Sequence, residues 1–374
     1  MRDAFGRVLA SEVRSDVDWP PFDTLAMDGY AVRLSDAAAA NAELAERPGL
    51  VAAGDPPASP LAPGEAVRVM TGAPLPPNAE AVIPVEEIRR MDGRIVAAAA
   101  PRAGEHVRRR GESLTAGSAL LPPGRRLSAA DVALAALAGA DPVLVRRRPR
   151  ISIAVTGNEL VAASGRPGPG QLRDSNGPML AALCAARGLP AALSPPVADE
   201  DAAVHRLFHE AGRGEDVLIT SGGVSAGDLD LLPERAARAG FELLFHGVAV
   251  RPGKPIAFGK RNATIWFGLP GNPVSTSVCF HVFVRTALDL LEGAEPAGPV
   301  FLQARLTAGV SLRGRRESYR DALLSAVEGE HRVLPLQSRG SHDLAAHAKA
   351  NALIRIPADA QTIEPGSLVE CLLL

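Results

Sequence analysis

The sequence predicts a multidomain α/β protein built around a doubly wound, mostly parallel sheet. Strand and helix signals alternate between residues 150 and 292, as expected for a parallel sheet with helices on both faces. The sequence before this stretch is rich in Pro, Gly and short β-favouring runs, and the sequence after residue 298 has the pattern of β-strands. With 374 residues, 47% of them apolar, the chain is long enough for about two to four domains.

The N-terminal region is predicted to be β-rich, with one helix near its end. Residues 66–70 and 81–83 are β-favouring runs bounded by turn residues. The stretch 128–139 has the pattern of a helix that begins at Ser128 as N-cap and ends at Gly139.

The central region is predicted from alternating buried strands and capped helices. Its predicted strands cover residues 151–155, 216–220, 241–250 and 265–268. Its predicted helices cover residues 175–187, 199–211, 231–239 and 272–291. The last helix has Asn272 as N-cap and Pro273 in the first helical position, where the fixed φ of proline suits a helix. After residue 298, stretches such as "HRVLPL" and "NALIRIP" predict a small β-barrel or β-sandwich.

Composition excludes several classes of function. The formal net charge is −2 and the basic runs are short, so neither a nucleic acid nor a membrane surface is expected as partner. The three cysteines are scattered singly, which gives no disulfide framework and no cysteine metal site. We find no signal peptide and no apolar run long enough to span a bilayer, and we expect a soluble cytoplasmic protein. No spacing indicates a Ser-His-Asp arrangement.

Three loops of the central region follow predicted strands. Open α/β sheets bind ligands beyond the carboxyl ends of their strands, where such loops lie. The loop "TGNEL" carries Glu159, and "TSGGVSAGDLD" carries Asp228 and Asp230 beside three glycines. The loop "GLPGNPVS" begins a helix, whose orphan N–H groups favour an anion. Carboxylates for a metal ion and donors for a phosphate suit phosphoryl-transfer chemistry. The alternative for either aspartate is a helix cap, and the alternative for Glu159 is a solvated loop residue.

The stretch "RPGKPIAFGK" adds cations to the same predicted edge. Arg251, Lys254 and Lys260 would suit an anionic ligand there. The alternative is a basic hairpin without a binding role.

Together these loops resemble a known family. The motifs "PPFDTLAMDGYAVR", "RVMTGAPLPPNAEAVIPVEE", "RRRGES", "TGNEL", "DSNGPML", "TSGGVSAGDLD", "RPGKP" and "GLPGNPVS" occur in this order. Over almost its whole length the chain resembles molybdopterin molybdenumtransferase, the MoeA family, which also forms the C-terminal E domain of gephyrin. The family's N-terminal helical segment, a few dozen residues, is expected to be missing.

The resemblance implies an activity and an assembly. Such proteins insert molybdate into adenylylated molybdopterin and release AMP, with a divalent cation, usually Mg²⁺. They are homodimers of four domains whose active cleft lies between subunits. One possible partner is a molybdopterin adenylyltransferase, which would supply the substrate. Others are partners in molybdoenzyme maturation, which would accept the product. The dithiolene sulfurs of the substrate would accept the molybdenum, so no cysteine ligands are needed.

The resemblance also implies domain boundaries. Residues 1–15 with 105–147 would form a linker and dimerisation domain, and 16–104 a β-rich domain. Residues 148–292 would form the α/β molybdopterin-binding domain, and 299–374 a C-terminal β-barrel.

The resemblance assigns site residues by matching motifs. Three acidic residues are expected to be catalytic and to bind the metal: Asp28, Glu159 and Asp230. The residues expected to bind substrate are Thr71, Asp199, Ser221, Gly222, Gly223, Arg251, Lys254, Pro270, Gly271, Asn272 and Pro273. Asp28 is expected to act across the dimer, facing Glu159 and Asp230 of the other subunit.

The chain departs from the family pattern at functional positions. Ser113 stands where the family commonly has Asp, and Gly247 where it has Lys or Arg. These departures leave two alternatives open beside the enzyme. One is a catalytically weak molybdopterin-binding or scaffold paralogue. The other is a nucleotide-processing enzyme that shares only the α/β domain, which the motifs around Asp28 and Thr71 oppose.

Overall fold

The structure is a computed structural model that describes residues 1–210, 214–224, 232–311, 314–360 and 362–374, without the side chain of Arg2. The described residues fall into two compact units. The first unit contains Met1–Pro123 and Leu127–Val145. The second unit contains Gly124–Arg126 and Arg146–Leu374.

The first unit is β-rich, as the sequence predicts. Its strands are β1 (Val13–Arg14), β2 (Thr24–Leu25), β3 (Gly29–Val32), β4 (Glu43–Val51), β5 (Glu65–Val69), β6 (Ala81–Pro84), β7 (Ile88–Met91), β8 (Arg94–Ala97), β9 (Val107–Arg108) and β10 (Ala119–Leu121). Six of them form one sheet in the order β6-β3-β5-β4-β8-β7. Both faces of β3 are covered, because Ala31 packs in one apolar cluster while Tyr30 and Val32 pack in another.

Helix α1 (Ala129–Leu137) ends the first unit. Ser128 caps it in a capping box with Asp131, and Gly139 follows it at φ +76°, as the sequence predicts for this stretch.

The α/β region of the second unit contains nine strands and four helices among the described residues. The strands are β11 (Ile151–Val155), β12 (Leu160–Val161), β13 (Leu172–Arg173), β14 (Ala191–Leu193), β15 (Val217–Ser221), β16 (Glu242–His246), β17 (Val250–Arg251), β18 (Ala257–Arg261) and β19 (Thr264–Leu269). The first three helices are α2 (Asn176–Ala186), α3 (Asp201–Glu210) and α4 (Leu232–Arg238). The fourth is continuous from α5 (Pro273–Cys279) through a π-helical turn (Phe280–Val284) to α6 (Arg285–Glu292).

The main sheet of this region is mostly parallel, which confirms the predicted fold class. Its order is β14-β11-β15-β19-β18-β16. The first four strands are parallel to one another, and β18 and β16 add an antiparallel edge. Two apolar clusters cover the sheet: one contains α2 and the long fourth helix, and the other contains α3 and α4.

The antiparallel edge corrects two details of the sequence prediction. The strand predicted over residues 241–250 ends at His246, and β18, the next strand of this sheet along the chain, pairs with it as the return strand. Lys260 therefore lies opposite Ile265 at the beginning of β19, and its Nζ pairs with Glu242 Oε2 at 3.3 Å. Lys260 is thus at the end of the sheet away from the strand ends where ligands were expected, because the antiparallel strand reverses direction.

The C-terminal residues form a closed barrel. Its elements are β20 (Phe301–Leu306), β21 (Val310–Ser311), β22 (Glu317–Val327), β23 (Glu330–Pro335), α7 (Leu344–His347), β24 (Ala352–Ile356), β25 (Thr362–Ile363) and β26 (Leu368–Leu373). Five strands close in the order β22-β23-β20-β26-β24, because β24 pairs again with β22. The core contains Ala322, Val333, Ile354 and Cys371, all fully buried.

The long fourth helix corrects one expectation about apolar runs. Within the described residues, Pro273–Glu292 is the one helix long and apolar enough to cross a membrane by length and composition. However, 61% of its apolar window is buried inside the protein. Phe280, Val284 and Leu288 pack in the main apolar cluster of the α/β region, so core packing accounts for this composition.

Candidate active site

The three strand ends that the sequence singled out lie side by side. In the parallel ladder, Val155 at the end of β11 is paired with Ser221 at the end of β15. Ser221 is in turn paired with Leu269, the last residue of β19. The loops that follow these strands therefore leave the same edge of the sheet in register, where open α/β sheets bind ligands.

A buried asparagine connects two of these loops. Asn176, in the first turn of α2, donates through Nδ2 to Ser221 Oγ at 2.9 Å and to the Gly271 carbonyl at 2.7 Å. The hydroxyl of Ser221 donates to the Pro270 carbonyl at 2.9 Å. The motif "DSNGPML" contains Asn176, but sequence reasoning did not identify it as a site residue, because its partners lie 45 and 95 positions away.

The turn after β15 requires glycine. Gly222 has φ +100°, and a Cβ atom there would lie 2.4 Å from the carbonyl oxygen of Thr156. Gly223 has φ +61°, and its Cβ would lie 2.9 Å from Leu232. Both the backbone conformation and the close approach exclude larger residues.

These loops line an open cleft of about 1180 Å³ in the second unit. The described residues of this unit that were predicted to bind substrate or metal lie along it: Glu159, Asp199, Ser221, Gly222, Gly223, Arg251, Lys254, Pro270, Gly271, Asn272 and Pro273. Asp228 and Asp230 lie outside the described residues, and their placement stays a prediction.

Three carboxylates of the α/β region line the cleft: Glu159, Asp174 and Asp199. Burial, together with the negative charge of Glu159, raises the pKa of Asp199. The amide of Asp199 donates to Asn158 Oδ1 at 3.0 Å, which holds the two loops together. Asp174, which the sequence reasoning did not single out, is buried and accepts a hydrogen bond from the Gly177 amide at 2.9 Å.

The beginning of the long helix has fewer open donors than predicted. The amide of Val274 donates to the Ser341 carbonyl at 3.1 Å. Asn272 occupies the predicted N-cap position, but its side chain does not cap the helix; it donates to Ser341 Oγ at 3.0 Å. A loop of the C-terminal barrel therefore already satisfies part of the helix end that we expected to bind an anion.

The barrel contributes one side of the cleft, which sequence reasoning missed. Its lining residues include Arg316, Ser318, Tyr319, Arg320, Asp321, Leu336 and the stretch 338–342. Three of them, Arg316, Arg320 and Arg339, are cationic. The clustered arginines in "GRRESYR" were the available signal, but their position beside the α/β region depends on packing between domains.

Asp28 and Thr71 form a pair in the first unit. Asp28 Oδ1 accepts hydrogen bonds from the amide and from the hydroxyl of Thr71, both at 2.7 Å. These bonds lower the pKa of Asp28, with a further contribution from Arg68. Gly29 must follow, because a Cβ there would lie 2.1 Å from the Ile83 carbonyl oxygen. The carboxylate is exposed and held in its ionised form.

Family models cover most of the chain. Residues 1–139 match the model described as "MoeA N-terminal region (domain I and II)". Residues 152–290 match "Probable molybdopterin binding domain", and residues 303–374 match "MoeA C-terminal region (domain IV)".

Relatives match over nearly the full length. The molybdopterin molybdenumtransferase of Nostoc sp. is 37% identical over 373 residues, covering 97% of this chain and 85% of the relative. The molybdopterin molybdenumtransferase 2 of Mycobacterium tuberculosis is 35% identical, covering 99% and 93%.

The chain belongs to the MoeA family. The crystal structure of the molybdopterin biosynthesis MoeA protein from Pyrococcus horikoshii OT3 has a TM-score of 0.84 to this chain at 28% identity, covering 100% of this chain and 93% of that one. The resemblance inferred from the motifs and the predicted fold class are both confirmed.

Two departures from the MoeA pattern lie in well-formed turns. Ser113 is exposed, and its amide donates to the Trp19 carbonyl at 3.0 Å. Gly247 has φ +90°, and its amide donates to the Ile256 carbonyl at 2.8 Å. Neither residue brings a charge to its position. The described cleft is lined by the cations Arg173, Arg251 and Lys254 of the α/β region and by the arginines of the barrel.

Proposed function

We propose that this protein is a molybdenum insertase, a transferase that inserts molybdate into adenylylated molybdopterin and releases AMP. The observation that carries the proposal is the register of β11, β15 and β19, whose ends bring acidic and glycine-rich loops to one cleft that Arg251 and Lys254 also line. Support also comes from membership of the MoeA family and from the names of the relatives.

The cleft would bind the anionic parts of the substrates through its cations. Arg251 and Lys254 enter it from the α/β region, and Arg316, Arg320 and Arg339 enter it from the barrel. Phosphate groups and molybdate are all oxyanions, and guanidinium and ammonium groups bind oxyanions by charge-assisted hydrogen bonds. The glycines at 222 and 223 allow the substrate to approach the backbone closely.

The carboxylates of the α/β region would suit a magnesium ion. Burial, and after it the negative charge of Glu159, raises the pKa of Asp199, and a cation between the two carboxylates would relieve their repulsion. Among the described residues no group of three or more potential ligands is close enough to enclose a metal. Mg²⁺ usually binds one or two carboxylates together with substrate phosphates and waters, so Glu159, Asp199 and the predicted ligand Asp230 would suffice. When bound, the ion would neutralise charge on the phosphoanhydride.

Asp28 would complete the site in a homodimer. Its carboxylate is fixed by Thr71 and held ionised, which suits a group that binds a cation or orients a water molecule. The family resemblance places such an Asp opposite Glu159 and Asp230 of the other subunit. Mixing two inactive variants, Asp28→Ala and Glu159→Gln, tests this arrangement. Mixed dimers would have one intact cleft and recover part of the activity; a mixture as inactive as either variant alone contradicts the shared cleft.

A catalytically weak molybdopterin-binding paralogue is the second candidate. It is favoured by Ser113 and Gly247, which place no charge where the family commonly has Asp and a cation. Under either candidate we place the protein in the cytoplasm, with a molybdopterin adenylyltransferase and molybdoenzyme maturation partners beside it.

Reconstitution of an apo-molybdoenzyme distinguishes these candidates. The protein is incubated with adenylylated molybdopterin, molybdate and Mg²⁺, and the apo-enzyme is then assayed for activity. The insertase would restore activity many times faster than a mixture without the protein. Tight binding of molybdopterin with reconstitution at the rate of that mixture would instead identify the paralogue.

A further inference from the structure

A chain of three buried polar side chains joins the barrel to the long helix. His347 Nδ1 lies 2.7 Å from Asp321 Oδ1, and His347 Nε2 lies 2.9 Å from Ser277 Oγ. Ser277 is on α5, Asp321 on β22 and His347 at the end of α7. They are 2%, 6% and 8% exposed, so each group satisfies the others away from water.

The geometry is that of a Ser-His-Asp triad, but a nucleophilic role does not fit. Ser277 is the fifth residue of α5, and its neighbours Thr276 and Val278 are fully buried. A substrate carbonyl or phosphoryl group could not reach a hydroxyl in that position, and catalysis requires such contact. The three side chains must therefore act by holding together the helix and the barrel elements to which they belong.

Asp321 holds both ends of one barrel segment, residues 336–347, which we call the cleft segment. Its carbonyl accepts a hydrogen bond from the Leu336 amide at 2.8 Å, and its carboxylate contacts His347 at the other end. Between them, Asp343 caps α7 by accepting from the Ala346 amide at 3.1 Å. Asp343 also accepts from the Arg339 amide at 3.0 Å, which closes the turn.

The cleft segment is also fastened to the helix at two points. Ser341 accepts from the Val274 amide and from the Asn272 side chain at the helix start. His347 contacts Ser277 about one turn further along. At and around the first attachment the segment presents Arg339, Ser341 and His342 to the cleft.

We propose that His347 is a positioning residue that fixes the cleft segment, and with it the barrel side of the substrate cleft, onto the long helix. Its imidazole is the one described group that contacts both the anchor Asp321 and the helix residue Ser277. Without it, two buried polar groups lose their partner, and one end of the segment loses its attachment to both. The part of the inference that concerns substrate rests on the proposed function; the part that concerns order of the segment does not.

The test compares His347→Leu with His347→Asn and with His331→Leu in the full chain. Leucine removes both hydrogen bonds, whereas asparagine retains a donor near the Nδ1 position toward Asp321. His331 is an exposed histidine of the same barrel and does not line the cleft, so it controls for the substitution itself. If His347→Leu does not fold, Ser277→Ala is measured instead, because it removes only one of the two hydrogen bonds.

Hydrogen–deuterium exchange of the amides in residues 336–343 is the first measurement. We expect His347→Leu to speed exchange there by about tenfold or more, as loss of two buried hydrogen bonds would do. We expect His347→Asn to recover part of the protection and His331→Leu to match wild type. Unchanged exchange in His347→Leu, or in Ser277→Ala if that variant is used, overturns the proposal.

The second measurement is the dissociation constant for AMP alone and for molybdate alone, by calorimetry. We expect weaker binding of at least one of them in His347→Leu, by about tenfold, with partial recovery in His347→Asn. If a variant shows faster exchange but binds both ligands as wild type does, His347 positions the segment but the segment does not bind these ligands. That result overturns the claim about substrate. If wild type itself binds neither, the proposed function fails while the exchange result still decides the positioning role.

Discussion

Asp28 Oδ1 accepts both the amide and the hydroxyl hydrogen bond of Thr71, each at 2.7 Å. The two residues belong to different motifs, 43 positions apart, that the sequence analysis matched separately. Their contact joins the two motifs: the threonine lowers the pKa of the carboxylate and fixes its direction.

Replacing Thr71 by valine should move the acid limb of the activity profile to higher pH. The hydrogen bonds from Thr71 lower the pKa of Asp28, so the carboxylate stays ionised as pH falls through the ordinary aspartate range. Valine keeps the amide bond and removes the hydroxyl, which lets the pKa rise. We expect kcat/KM for AMP release to fall by about three- to tenfold, with recovery in Thr71→Ser. An acid limb that stays in place would show that Asp28 is not the titrating group.

Replacing Glu159 by glutamine should stabilise the protein while it lowers activity. Burial and the charge of Glu159 raise the pKa of Asp199, so the folded state binds more protons than the unfolded state. Stability at this site is therefore lost as pH rises from the ordinary aspartate pKa through the raised one. Removing the charge of Glu159 should raise Tm at pH 7 by about 1–2 °C. Glu200→Gln, an exposed neighbour outside the cleft, is the matched control, and a lower Tm in Glu159→Gln would contradict the repulsion.

Replacing Asn176 by alanine should cost about 2–3 kcal/mol of unfolding free energy, because the buried Ser221 hydroxyl and the part-buried Gly271 carbonyl lose their donor. The amide of Asn176 bonds both Ser221 Oγ and the Gly271 carbonyl. Ser175→Ala, next to it, removes a hydroxyl that makes no capping hydrogen bond and should change the free energy by under about 0.5 kcal/mol. Denaturant unfolding measures both, and equal effects would mean that the connection between the loops contributes no stability.

Replacing Gly222 by alanine should destabilise the protein by about 3 kcal/mol or more, since the new Cβ would lie 2.4 Å from the Thr156 carbonyl oxygen at φ +100°. Gly170→Ala is the matched control. Gly170 has φ +78° with no atom within 4 Å of the added carbon, so only the backbone cost of about 1 kcal/mol applies. A similar loss of stability in both variants would show that the clash between the added Cβ and the Thr156 carbonyl costs no unfolding free energy.

The sequence was sufficient for those features that depend on local patterns. Buried strands such as Ile151–Val155, the capping residue Ser128 and the start of the long helix at Pro273 are all marked by neighbouring residues. Because parallel strands share one carboxyl edge, placing the loops after β11, β15 and β19 on one side of the sheet also followed from the pattern.

Features that depend on distant contacts could not be predicted in this way. The antiparallel turn that moves Lys260 to the other end of the sheet is set by pairing of β16, β18 and β19. The barrel side of the cleft depends on contacts such as Ser277 to His347, 70 positions apart. The sequence predicts Asn272 as a helix cap, yet because the barrel packs against the helix its side chain donates a hydrogen bond to Ser341 instead.

The rate of AMP release from adenylylated molybdopterin, measured with and without molybdate in the presence of Mg²⁺, tests the central claim most directly. We expect wild type to release AMP in a molybdate-dependent manner, with Asp230→Ala folded but inactive. Lys254→Ala should release AMP about a hundredfold more slowly, because it removes one cation from the cleft. Release by wild type at the rate measured without protein, with or without molybdate, would contradict the account.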